Sequence, residues 1–123
     1  MSQSVWANND HTTIYVELEN GLTADAIVHT ERNLREMMGE VGHPVATVIN
    51  VIDRHLIAME TLRALHKFLS YNHPNRAMMI MVVPDGMREG IQEMMQRSFG
   101  GSLPSNVGFG ATLDDAELIL QSQ

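Results

Sequence analysis

The chain has 123 residues and a mass of 13.7 kDa, the size of one domain with room for a continuous core. Fifteen acidic against eight basic side chains give a net charge of −7, which argues against nucleic acid and anionic membrane as partners. Cysteine is absent, which excludes disulfides, thiolate zinc sites and cysteine nucleophiles and suits a reducing compartment.

Residues 4–7 and 12–19 read as two strands joined by the turn formers Asn8, Asn9, Asp10 and His11, so the chain opens with a hairpin. In the second arm Ile14, Val16 and Leu18 alternate with Tyr15, Glu17 and Glu19, giving one dry face and one wet or covered face. Asn20 and Gly21 break the strand and Thr23 can cap the next helix, whose stripe is Ala24, Ile27, Leu34, Met38 and Val41, with Gly39, Gly42 and Pro44 closing it. The run 45–52 is rich in β-branched residues, as in a strand buried on both faces. From Met59 the period changes: Leu62, Leu65 and Leu69 form one stripe with Arg63, His66 and Lys67 mostly off it, which predicts an amphipathic helix over 59–69.

Residues 71–75 lead to a second apolar run over 77–83, again a buried strand, which Pro84 ends. Asp85 can cap a helix from about 86 to 99, with Met87, Ile91, Met94 and Met95 facing inward. Residues 100–106 are loop, 107–109 a short last strand, and Thr112 with Asp115 a capping box that opens a final helix to about 120. Six of the ten methionines fall between 78 and 95, where these patterns assign them to the core. No apolar run approaches the roughly 18 residues of a membrane span, and the N-terminal stretch lacks the basic start and apolar core of a leader, so a cytoplasmic protein is expected.

The order β-β-α-β-α-β-α-β-α predicts one α/β domain over 1–123, a mixed, mostly parallel sheet with an N-terminal antiparallel hairpin, covering helices and right-handed crossovers. Ligands and partners of such sheets gather where the strands end, which makes the turn between 45–52 and 59–69 the expected working surface. There Asp53, Arg54 and His55 supply an acid, a cation and an imidazole, although three polar residues are what any exposed turn carries. Glu60 sets a negative charge in the first helical turn, where the macrodipole stabilises it by about 0.3–1 kcal/mol. Thr61 could accept phosphate or simply help satisfy the orphan backbone amides. The histidines at 11, 29, 43, 55, 66 and 73 include no pair at helical ligand spacing, and neither a dinucleotide fingerprint nor a P-loop occurs. Pro84-Asp85-Gly86 could offer amides to an anion, but Asp85 would occupy or repel that site, and Asp114 and Asp115 are ordinary first-turn carboxylates. No catalytic residue, metal or cofactor is therefore expected; an enzyme would need Asp53 and His55 within hydrogen-bond reach in a cleft.

Chain length, element order and the central stretch 45–69 together resemble the STAS domain, the fold of bacterial anti-sigma factor antagonists and of sulfate-transporter tails. Against the family's apolar-apolar-Asp-Leu-Ser strand and its Asp-Ser-Ser-Gly-Leu-x-x-Leu helix start, the apolar frame matches at Val48, Ile49, Leu56, Ile57, Leu62, Ala64 and Leu65. The polar positions differ: Asn50 and Ala58 stand where the two Asp would be, Met59 where the phosphorylated Ser would be, Glu60 at the next Ser and Thr61 at the Gly. Leu18 to Thr23 approximate the family's Leu-x-Gly-x-Leu-Asp turn, with the Gly one place late, and Gly108 to Ala116 are similar to its closing strand-to-helix turn. The resemblance implies a divergent STAS-like, non-enzymatic module that binds a protein, an anti-sigma factor or kinase-like regulator, through the loop 53–61, with Asp53, Arg54, His55, Met59, Glu60 and Thr61, and through the exposed side of the helix that follows. With Met59 at the usual phosphosite, that binding would not be phosphoregulated there, and Glu60 would supply a fixed charge beside it. The alternative is a small-molecule or lipid-binding domain of STAS/SEC14 type, with the methionines of 78–95 lining a cavity. A homodimer is left open.

Overall fold

In the computed structural model, which describes residues 2–18, 22–51 and 59–122, β1 (Ser2–Trp6) runs antiparallel to β2 (Thr13–Leu18), with Trp6 opposite Ile14. The expected hairpin is present, with β1 two residues nearer the N-terminus than the 4–7 predicted. Asn8 closes its turn: the Thr12 amide donates to Asn8 Oδ1 at 3.0 Å and Asn8 Nδ2 donates to Thr12 Oγ1 at 2.7 Å. His11, at a φ of 55°, lies flat on Trp6 with ring centroids 4.4 Å apart, which holds the left-handed residue in place.

From β3 onward every strand is parallel to the one before it. Thr23 caps α1 (Ala24–Gly39), its Oγ1 accepting from the Ala26 amide at 3.1 Å, and α1 leads into β3 (Val45–Val51). α2 (Met59–Leu69) connects to β4 (Arg76–Val82), and α3 (Arg88–Ser98) to β5 (Val107–Gly110). The chain closes with α4 (Leu113–Gln121). Strand order in the sheet is the order in the chain, β1 to β5. Three right-handed crossovers that all step the same way put α1, α2 and α3 on one face. Their inward residues Ile27, Leu34, Leu65, Phe68, Ile91 and Met95 close over Ile14, Val16, Ile49, Met79 and Met81. α4 alone lies on the other face, where Ala116 packs on Val48, Ile80 and Val82. β3 and β4 are thus covered on both sides, which is why their sequences run apolar without alternation.

The capping box predicted for α4 is formed: Asp115 N donates to Thr112 Oγ1 at 3.1 Å, and Asp115 Oδ2 accepts from Thr112 N at 3.2 Å and Ala111 N at 3.0 Å. The turn is tight enough that a Cβ on Gly110 would stand 2.9 Å from Asp115 Cβ. The start predicted for α3 is corrected. Asp85 does not cap it, because Gly86 at a φ of 97° interrupts the backbone and the Pro84 carbonyl takes the amides of Met87 and Arg88, both at 3.1 Å. Met87 becomes the N-cap without a side-chain bond and the helix starts at Arg88. Met94 is corrected as well. Met87, Ile91 and Met95 turn inward as expected, but Met94 is 39% exposed.

At the opposite end of the sheet from the β3–α2 turn, Arg76 fastens α2 to β4. Its guanidinium donates to the carbonyls of Leu69 at 2.6 Å and Tyr71 at 2.7 Å, the last residue of the helix and the second one beyond it, and lies 4.7 Å from the Tyr71 ring centroid. Burial pushes the Tyr71 hydroxyl from its ordinary 10 up to about 12, against the opposing pull of Arg76 and Arg35. A phenol whose folded pKa is raised keeps its contribution in full below the unfolded value and loses it as the pH climbs through the folded one. Stability should therefore decline between pH 10 and about 12, by about 3 kcal/mol over that window. Urea midpoints across that range check it, with Tyr71→Phe expected to flatten the loss; equal slopes in the two proteins would remove Tyr71 as its source.

Candidate functional site

The residues that begin α2 were the expected site. Asp53, Arg54 and His55 lie outside the described residues. Met59 and Glu60 stand exposed in the first turn, Met59 at 66%, whereas Thr61 is 6% exposed and sits with Leu65, Phe68 and Leu69 on the buried side. Thr61 therefore does not share a surface with its two neighbours. Asn50, at the position of the family's strand Asp, turns to the other face of the sheet, where its Nδ2 donates to Tyr15 Oη at 3.0 Å and that hydroxyl donates to Glu17 Oε2 at 3.3 Å.

α2 presents a second face. Once 61, 65, 68 and 69 are committed to the core, the positions Met59, Leu62, Arg63, His66 and Lys67 remain, spaced i, i+3, i+4, i+7 and i+8 along one side. They line a groove of about 540 Å³ between α2 and α3. α3 supplies the opposite wall with Met94, Met95, Arg97 and Ser98. α2 lies close along α1 and touches α3 more sparsely. One crosslink spans the gap: the His66 ring stacks on Phe99 with centroids 4.1 Å apart, and its Nδ1 is 2.9 Å from Ser98 Oγ, whose own proton goes to the Met95 carbonyl at 2.8 Å. With that hydroxyl donating to Met95, His66 Nδ1 must carry the proton it gives to Ser98.

The floor of this groove is thioether and alkyl and its rim is cationic. Arg63 and Lys67 stand exposed on the α2 side and Arg97 on the α3 side, the last paired with Glu93 at 2.6 Å. Among the described residues no carboxylate lines it. The neighbouring groove between α1 and α2, about 370 Å³, carries Glu31 and Glu60 as well as Arg63 and Lys67, so its charges offset one another. The methionines expected in the core divide between two environments: Met79, Met81 and Met95 are buried in solid packing, and Met94 opens to the groove.

The exposed side of α2, expected to share the surface, supplies Arg63, His66 and Lys67, whereas periodicity did not single out Leu62, Met94, Arg97 and Ser98 as site residues. The signal available was the surplus of α2, which has more large residues than one core stripe can use. Among the described residues no group of three or more His, Asp or Glu is arranged to hold a metal ion, and no helix is long and apolar enough to cross a membrane. Compared with protein families, with curated proteins and with solved structures, the chain matches none.

Proposed function

We propose that the protein is a non-enzymatic regulatory module, similar to the anti-sigma factor antagonists of the STAS family, that docks a protein partner on the α2–α3 face and is not phosphoregulated at the usual position. The observation that carries this reading is the second face of α2, where exposed Met59 and half-buried, cation-flanked Leu62 line the groove beside a core stripe already supplied by Thr61, Leu65, Phe68 and Leu69. An antiparallel first strand, three crossover helices on one face and a fourth on the other support the family resemblance. Position 59 offers no hydroxyl, and the nearest one, on Thr61, is buried.

A second reading has its own observation: about 540 Å³ of mainly apolar lining falls in the range of small-molecule sites, so an apolar ligand could occupy the same groove. Photocrosslinking in the source cell separates the two. A photoreactive phenylalanine at Met59 is expected to give one discrete protein adduct, and the same group at Leu118, exposed on α4, to give none. Mass spectrometry of the adduct is expected to find Thr61 unmodified. Failure to obtain a position-dependent protein adduct would overturn the docking reading, and stoichiometric phosphate on Thr61 would overturn its independence from a kinase.

A further inference from the structure

We infer that the occupant of the α2–α3 groove is an amphipathic helix of a partner protein whose apolar stripe is flanked by acidic residues; this rests on the protein-docking reading and names the chemistry of the partner. The wall positions on α2 from Met59 to Lys67 cover two turns, about 12 Å of helix, with a wall of equal character on α3. A trough between two helices of one layer is shaped for a third helix laid along it, a ridge of side chains seated between theirs.

Met59 and Met94 supply unbranched, polarisable side chains that fit themselves to Leu, Phe or Ile knobs without a preformed pocket for each. Charge then decides which apolar helix is accepted. In a chain of net charge −7, three of the eight Lys and Arg residues, Arg63, Lys67 and Arg97, border this groove. Carboxylates on the flanks of a docked helix would meet a cation on either side. Arg97 is engaged by Glu93, but that pair is open to water at both ends, with 77% and 62% of the side chains exposed, so the guanidinium can exchange one carboxylate for another at little cost. The α1–α2 groove is a poorer seat for such a helix, because Glu31 and Glu60 line it and would repel the acidic flanks. A basic helix would find only repulsion, and an acyl chain laid in the trough would keep one side against water.

The test uses the full chain and two synthetic peptides of about 16 residues that share one Leu and Phe stripe, one flanked by Glu and the other by Lys at the same positions. Binding is read by fluorescence anisotropy of the labelled peptide and located by the methyl resonances of Met59 and Met94. The Glu peptide is expected to bind at least about tenfold tighter than the Lys peptide, and the double substitution Arg63→Glu with Lys67→Glu to invert that order. Both substituted side chains are exposed, so the variant should melt as the parent does. Equal binding of the two peptides at the Met59 and Met94 methyls would overturn the acidic class and leave the docking reading standing. Silence of those methyls toward both peptides, with a response to laurate micelles, would overturn both. A Glu preference that survives the double substitution would place the recognition elsewhere and overturn the assignment to this groove.

Discussion

Val51→Asp is expected to abolish the cooperative thermal transition at neutral pH. Val51 ends β3 opposite Leu18 of β2, is 1% exposed, and belongs to the core closed by α1 and α2. An ionised carboxylate there would give up its water among aliphatic side chains at a cost of several kcal/mol, against a total stability of about 5–15 kcal/mol for a domain of this kind. The escape is protonation, so whatever folded population survives should increase toward acid pH, where the unfolded chain also binds the proton. Val51→Ala separates the charge from the lost volume: it is expected to stay folded and to melt lower, by about 2 kcal/mol. Circular dichroism melts of the three proteins decide it. An Asp variant that melts with the parent would show that the residue does not face the core.

Arg76→Met should be the most damaging change of a polar side chain. The substitution keeps an apolar stem over Tyr71 and removes the guanidinium, leaving the carbonyls of Leu69 and Tyr71 without the donor that joins them to the start of β4. Desolvation by burial holds the Arg76 pKa below its usual value, which is the sign of a cation partly deprived of water and dependent on its two acceptors. The expected loss is about 2–4 kcal/mol, or roughly 10 °C in Tm. Arg76→Lys should recover less than half of it, since one ammonium nitrogen must serve both carbonyls that Nη1 and Nη2 of the planar guanidinium reach separately. A Met variant within about 0.5 kcal/mol of the parent would mean that water replaces the guanidinium there.

Those two residues mark where the sequence is legible and where it is not. Val45 to Val51 and Met79 to Val82 announce buried strands because a strand covered on both faces is apolar at most positions of both parities, and that pattern survives without any knowledge of its neighbours. Arg76 carries no such signal. Its acceptors are carbonyls of other residues, and nothing in a side-chain sequence says which carbonyls lack a partner. The start of α3 is misplaced because Asp85 is a good cap by type, whereas the φ of Gly86 decides that the helix begins two residues later. The groove is the deeper case. A period of 3.6 assigns Leu62 and Met94 to inward faces, and both do sit on the side of the neighbouring helix, but periodicity does not encode how far apart two helices stand. Asp53, Arg54 and His55, read from the end of the strand, fall outside the described residues, and the surface read from the structure starts where they stop.

Because the five strands lie side by side in the order in which they are connected, the sheet can be assembled from one end as the chain is synthesised. Each new strand finds its neighbour already in place, separated from it by one helix, and no strand has to wait for a later one to be inserted between it and its partner. Such short loop closures favour fast folding and leave few wrong pairings open. The second face of the sheet is the exception to this vectorial economy. Among the described residues the cover on Val48, Ile80 and Val82 comes from α4, which follows all five strands in the chain, so a nascent or clipped chain without α4 carries a bare apolar face. Losing α4 would leave the α2–α3 groove in place and make the protein prone to stick to itself.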